Sequence, residues 1–357
     1  MSKAQIPRSR QAESRLRRDL ILDSIKKAVV AWTRGWDAGL HPFVLEARFV
    51  YLCAEPSLQK KAPEILVVGS GKGGVGKSCL AVNAAVTAAL KGWRVILVDA
   101  DLGCSNVETI LGTRSERRLD EFFHQTGRKE LRTLLCDTHY ENLRLIPGAT
   151  GLLDVANPKF AQKQAFLREL RRLDADLIIV DLEAGTHLNA LDIFLITETN
   201  GVLVITPEKT SIDNAFKFLR AALFRRIERF YQSPEVAVLL KRNETLDDFI
   251  GCIRRSDAFD EVTTNRVCGE IMALARSIRP KVVVNKAHNS YEAQIAMNIL
   301  VKYTRQHLCI EPTNLGFMFF DKCVPDAVNS GMPFVVSHPH LKISGCVADI
   351  VNRLGYV

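Results

Sequence analysis

The chain has 357 residues, 47% hydrophobic and 25% charged, with nine cysteines and a formal net charge of +8. That is ordinary globular composition, enough for one large domain with an appendage or for two modest ones. No apolar run approaches a membrane span, no secretory leader is visible and no C-x-x-C pair exists. These features exclude a disulfide framework or a zinc site and leave a cytoplasmic chain with reduced thiols as the reading.

The charge is uneven. Residues 1–63 carry 12 Lys and Arg against 6 Asp and Glu, whereas the remainder is nearly balanced, 36 against 34. A basic chain invites a nucleic-acid partner, but here the excess sits in the leader, so the main body gives no strong nucleic-acid signal. Within that leader, residues 13–36 place Leu16, Leu20, Ile25, Val29, Trp32 and Trp36 along one seam flanked by Arg and Lys. The spacing predicts an amphipathic helix. Two uses fit it: docking on the domain or on a partner protein, and a peripheral contact of residues 10–36 with the inner-membrane surface. The stretch "PSLQKKAPE" (56–64) reads as a linker. The expected division is a basic helical extension over 1–63 and a nucleotide-binding domain over 64–357.

From residue 64 the chain alternates short apolar runs with amphipathic stretches. Strands are predicted at 64–69, 94–99, 142–148, 176–181, 201–206, 281–285 and 314–320, rich in Val, Ile and Leu and nearly continuous in hydrophobicity. Such runs suit strands buried on both faces of a parallel sheet. Helices are expected at 78–91, 160–173 and 212–232, with a helical elaboration over 241–280 and a covering helix over 341–357. "PEVAVLL" (234–240) fits either a strand or the start of the elaboration. The fold class is therefore α/β: a doubly wound, mostly parallel sheet with helices on both faces, plus the N-terminal helical extension.

The first strand runs into "GSGKGGVGKSC" (69–79). Gly71, four residues, then Gly76-Lys77-Ser78 satisfy the phosphate-loop spacing, with a strand before and a helix after. Glycines let backbone N–H groups converge on phosphate oxygens, and the following helix points its positive end at the same anion. The nucleotide-contacting run is then Gly71, Gly73, Gly74, Val75, Gly76, Lys77, Ser78 and Cys79. Lys77 is placed to reach the β- and γ-phosphates and Ser78 to ligate magnesium, so ATP and Mg²⁺ are the implied ligands. Asp181, ending "LIIVD", is the expected metal partner at a strand end, acting through water. Asp99 and Asp101 end another strand. Asp101 suits a water-positioning role and Asp99 the metal's outer shell, while a plain turn-capping role stays open for each.

"KGGVGKS" (72–78), "VDADLGCSN" (98–106) and "VDLEAGT" (180–186) together resemble the deviant Walker A ATPases of the MinD/ParA class. The resemblance spans roughly 64–357. It implies that Lys72 is the signature lysine, crossing a dimer interface to phosphates bound by the other subunit. It also implies that Lys77 is the loop lysine, Asp101 the water-positioning switch residue, Asp181 the Walker B carboxylate and Asn285 the adenine reader. Asn106 falls where the MinD branch carries an Asn. "DADLGCSNVETILG" and "TPEKTSIDNAFKFLRAA" are similar to the FlhG/FleN-like flagellar-number and polar-positioning branch. The resemblance thus implies an ATP-gated homodimer with a regulatory protein partner and slow, partner-stimulated hydrolysis.

Two departures stand out. Glu183 occupies a position where that branch usually has Gly or Pro; it could repel nucleotide, act as a base or cap a neighbouring helix. The C-terminal segment lacks a basic membrane tail. Three other functions remain in view: a regulatory adaptor with weak hydrolysis, a DNA-bound partition ATPase, and a metal-cluster carrier on the same fold. The missing C-x-x-C pair argues against the last, with Cys104 the one cysteine near the switch.

Overall fold

All seven predicted apolar runs become strands of one eight-stranded sheet in the computed structural model, which describes residues 62–355 apart from 102, 104, 125–129, 150–157, 159, 197–200, 233 and 256–259. The strands are β1 (Glu64–Gly69), β2 (Val95–Ala100), β3 (Cys136–Asp137), β4 (Leu143–Ile146), β5 (Leu177–Leu182), β6 (Val202–Ile205), β7 (Lys281–Ala287) and β8 (Thr313–Phe319). Their order across the sheet is β3-β4-β2-β5-β1-β6-β7-β8. Every pairing is parallel except β3 with β4. The two-residue β3 is the strand that sequence patterning missed, being too short to carry a period. The expected helix at residues 13–36 lies outside the described residues.

The sheet is buried on both sides because its strands alternate between two apolar layers rather than between apolar and polar. On one side Leu66, Val68, Leu97, Leu145, Ile179 and Val204 meet helix Lys77–Leu90 and helix Lys342–Arg353. Helix Lys77–Leu90 is apolar nearly all round, and its alanines let it lie close to the sheet. Its one buried amide is satisfied: Asn83 Nδ2 donates to the Cys79 carbonyl at 2.8 Å and its Oδ1 accepts from the Val335 N–H at 3.1 Å. Helix Lys342–Arg353 turns Ile343, Val347, Ile350 and Val351 inward, as the C-terminal pattern predicts.

The other side is built on aromatics. Phe194 from helix Leu188–Ile196 and Phe218 from helix Lys209–Tyr231 stack edge to face at 5.0 Å, both fully buried. Gly69, the last residue of β1, lies beneath them, where an added Cβ would stand 3.4 Å from the Phe194 ring.

The described residues divide into two compact units: 62–222 with 278–306 and 310–355, and 223–277 with 307–309. The second holds helices Pro234–Arg242, Leu246–Arg254 and Glu261–Arg276, so 234–240 is helical rather than extended. Thr245 and Asp260 cap the last two by accepting from the N–H of Asp248 and Thr263.

Truncation of Phe218 to Ala removes a fully buried ring from the sheet-facing layer. We expect a loss of about 3–5 kcal/mol, read as a lower urea midpoint.

Candidate functional site

The strand ends of β1, β2, β5 and β7 lie adjacent in the sheet or one strand apart, and the loops leaving them build the site. The loop after β1 wraps into helix Lys77–Leu90 with two residues in the left-handed region, Gly74 at φ 76° and Gly76 at φ 89°. Two of its glycines have no alternative. A Cβ on Gly71 would fall 2.2 Å from the Asn214 carbonyl oxygen, and one on Gly76 would fall 2.1 Å from Asn285 Nδ2. Gly73 faces open space. Among the described residues, the N-terminus of helix Lys77–Leu90 has no side-chain cap and no acidic residue in its first turn. Its N–H groups are left for an anion.

Lys77 is buried and donates to Asp181 Oδ1 at 2.9 Å; its Nζ also lies 3.5 Å from Ser78 Oγ. Asp181 stands in register with Asp99 across β5 and β2, so two carboxylates share one dry strand end. Burial pushes the Asp181 carboxyl above the usual range, opposed by the Lys77 ammonium and the Ser78 hydroxyl. Its second oxygen, Oδ2, is buried and has no hydrogen-bond partner among the described residues. A buried carboxylate oxygen left unpaired beside a serine hydroxyl suits a hydrated divalent cation, so the donor set fits magnesium. Ser78 and Asp181 are the residues that would hold it.

Asp99 is placed otherwise than its expected metal-shell role. Its Oδ1 accepts from the Asp101 N–H at 3.1 Å, and its Oδ2 accepts from Ser105 Oγ at 2.6 Å and the Val107 N–H at 3.3 Å. Both oxygens thus brace the loop after β2, the turn-capping alternative. Burial, reinforced by the Asp181 charge, pushes its carboxyl up to about 7. Asp101 is half-buried, and its Oδ1 accepts from the Gly103 N–H at 3.1 Å. Cys104 lies outside the described residues.

Lys72 stands apart from the cradle. It donates to Glu208 Oε2 at 2.9 Å and Thr210 Oγ1 at 3.2 Å, both just past β6. The ion pair holds the Glu208 carboxyl below its ordinary range. Asn285, expected from the resemblance to read adenine, spends both polar atoms on the chain itself. Its Nδ2 donates to the Val75 carbonyl at 2.8 Å, and its Oδ1 accepts from the Lys286 N–H at 2.7 Å.

Lys286 was not singled out by sequence reasoning. It adopts φ 59°, rare for a long side chain, and its Nζ donates to the Gly74 carbonyl at 2.8 Å. Glu208 and Thr210 were likewise missed as lysine partners; all three act through contacts far apart in sequence. Cys79, in the contact run, is a thiol pushed up to about 12 by burial, so it stays protonated. Glu183 is half-buried on the loop after β5, and its Oε1 has no partner among the described residues. Burial raises its carboxyl, with Asp101 adding and His187, Lys163 and Lys77 opposing.

The family described as the NUBPL iron-transfer P-loop NTPase (ParA) matches residues 61–228. The antiactivator FleN of Pseudomonas aeruginosa is 32% identical over 293 residues, covering 82% of this chain and 86% of that protein. The chain belongs to the ParA/MinD family of P-loop NTPases. The flagellum site-determining protein YlxH of Helicobacter pylori is 26% identical over 225 residues, covering 62% of this ParA/MinD-family chain and 75% of that one. Among solved structures, the septum site-determining protein MinD of Pyrococcus horikoshii, complexed with Mg-ADP, aligns with a TM-score of 0.56 at 19% identity. It covers 82% of this chain and 96% of that one, which shows a shared fold. The ParA/MinD family is one of ATPases. Among the described residues of this member, no three His, Cys, Asp or Glu side chains group to hold a metal ion, and no helix is long and apolar enough to cross a membrane.

The raised Asp99 carboxyl has a definite sign. Its contribution to stability is full below the ordinary value of 3.8 and is lost as pH rises through about 7. Asp99→Asn, neutral at every pH, should flatten that fall, read as a smaller change in urea midpoint between mildly acidic and mildly alkaline buffer. Gly76→Ala should weaken nucleotide binding, measured with a fluorescent ATP analogue, because a side chain at φ 89° is strained and its Cβ would push the Asn285 amide off the Val75 carbonyl.

Proposed function

We propose that this chain is a magnesium-dependent ATPase that works as an ATP-gated dimerising switch, setting the position or number of a cellular structure of the flagellar type. One observation carries the reading. The loop has a second lysine, Lys72, that points away from the phosphate cradle and is held at the surface by Glu208 and Thr210. A cation so placed is available to a second subunit once nucleotide binds. The extent of similarity to FleN, over most of both chains, supports the flagellar reading.

In this scheme Lys77 is shared between Asp181 and the β- and γ-phosphates of the chain's own ATP. Magnesium, when bound by Ser78 and Asp181, supplies charge neutralisation at the phosphate oxygens. Asp101 orients the attacking water, and Asp99 fixes Asp101 by accepting its backbone N–H. Lys72 leaves Glu208 and neutralises charge on the partner's nucleotide, as an arginine finger does in trans. Hydrolysis removes the γ-phosphate that both subunits contact, and the dimer dissolves. Turnover is slow until a regulatory protein partner completes the site. Residues 1–63, almost wholly outside the described residues, form a basic extension for that partner or for the inner-membrane surface.

A second reading, an adaptor with weak hydrolysis, is favoured by Glu183. Its Oε1, without a hydrogen-bond partner among the described residues, sits where Lys77 and Asp101 both act on the carboxyl, so it competes with phosphate for cation charge.

Light scattering separates these. Asp101→Ala with ATP and magnesium should run as a dimer, and Lys72→Ala should bind ATP yet stay monomeric. A monomeric, ATP-loaded Asp101→Ala variant would sink the switch. Glu208→Ala, which releases Lys72, should lower the ATP concentration at which the otherwise unaltered protein dimerises.

A further inference from the structure

β2 and β5 run side by side, with Asp99 opposite Asp181 and Ala100 opposite Leu182. The next step along both chains brings Asp101 opposite Glu183. Alternate residues of a strand share a face, so the two strand ends present two tiers of facing carboxylates. The lower tier, Asp99 with Asp181, is buried. The upper tier, Asp101 with Glu183, is half-buried, and the Asp101 charge bears on both Glu183 and Asp181. Backbone bonds tie the Glu183 loop to the phosphate loop. The Gly185 N–H donates to the Ser70 carbonyl at 2.9 Å, and Ser70 Oγ donates to the Lys72 carbonyl at 3.0 Å.

Glu183 is not the acid of a structural ion pair. Lys77 and Lys163 both act on it, but each is committed elsewhere: Lys77 donates to Asp181 Oδ1 at 2.9 Å, and buried Lys163 pairs with Asp192 Oδ2 at 2.9 Å. His187, on the same loop, is the other positive influence. Glu183 Oε1 is buried and has no hydrogen-bond partner among the described residues. A buried acceptor in that position calls for a donor.

The reaction supplies one. In-line attack on the γ-phosphorus needs a water with a lone pair aimed at phosphorus, so both of its O–H bonds must point away and find acceptors. One carboxylate holds one O–H and leaves the water free to swing; a facing pair holds both. We propose, on the reading of this chain as an ATPase, that Glu183 is a catalytic residue that accepts the second O–H of the attacking water, the first being held by Asp101. The family resemblance gives the water to Asp101 and places Gly or Pro at position 183, so the second acceptor belongs to this chain in particular. It carries a cost. In the monomer the Glu183 charge opposes the γ-phosphate while Lys77 is shared with Asp181. The Lys72 that arrives with dimerisation offsets that charge. The same carboxylate thus weakens ATP binding by the monomer and speeds hydrolysis in the dimer.

The full-length protein tests this through ATP affinity at low protein concentration and turnover at saturating ATP and magnesium. Thermal midpoints no lower than the wild type's establish that the variants are folded. Glu183→Ala should bind ATP more tightly yet turn over roughly tenfold to a hundredfold more slowly, the scale of a misplaced reactant. Glu183→Gln keeps an acceptor oxygen without the charge. It should also bind more tightly but stay within about threefold of wild-type turnover, since a glutamine suffices to orient water in other nucleotide hydrolases. Asp101→Ala with Glu183→Ala should be no slower than Asp101→Ala alone, because both groups hold one water. Turnover of Glu183→Ala at or above the wild-type rate overturns the proposal and favours the adaptor reading. A glutamine variant as slow as the alanine one overturns the orienting role, and slower turnover with weaker ATP binding in both marks a structural role and overturns it too. A wild type that binds ATP without any turnover overturns the ATPase reading itself, and this role with it.

Discussion

The site is organised around one buried ion pair, Lys77 with Asp181. Both groups are almost sealed from water, and each ion so placed costs several kcal/mol in lost hydration unless its partner is close and well oriented. The pairing satisfies Lys77 but leaves one Asp181 oxygen without a hydrogen-bond partner among the described residues. The arrangement is therefore complete for folding and incomplete for chemistry. A phosphate and a magnesium ion supply the charges that the pair lacks. A loop lysine held this way is aimed before the nucleotide arrives, so little ordering remains to be done on binding.

Around that pair, the chain spends its polar groups on holding loops rather than on filling the pocket. Asp99 ties down the loop after β2 with three hydrogen bonds. Asn285 and Lys286 grip the carbonyls of Val75 and Gly74 from the end of β7. Those two bonds hold the carbonyls of the loop ahead of helix Lys77–Leu90, whose N-terminus carries no side-chain cap among the described residues. The left-handed backbone of Lys286 persists because the Asn285 side chain takes its N–H. Local strain of this kind gathers at sites whose geometry is over-determined by neighbours.

Much of this was legible in the sequence. The strands could be read because parallel strands buried on both faces leave long apolar runs, and the phosphate loop because its glycine spacing admits few other uses. The C-terminal covering helix followed from its period alone. What escaped was either too short for a period, as with β3, or dependent on a distant partner. Asp99 could be placed at a strand end, yet whether its oxygens faced a metal or the backbone of residues 101–107 depended on how that loop turned. Asn285 was found through resemblance, but its amide donates to a loop 210 positions away and its oxygen accepts from the next residue's N–H.

The sequence by itself determined the class of the protein: an α/β sheet, a phosphate loop with two lysines, and carboxylates at the strand ends. These are local or periodic properties, encoded in spacing. The tertiary structure alone decided how the charges were partitioned. It assigned Lys77 to Asp181, Lys72 to Glu208, and Asp99 to the loop after its own strand. Such choices depend on which strand ends become neighbours and how deeply each is buried, and in a dry site the energy of a charge is set by the few groups within reach of it.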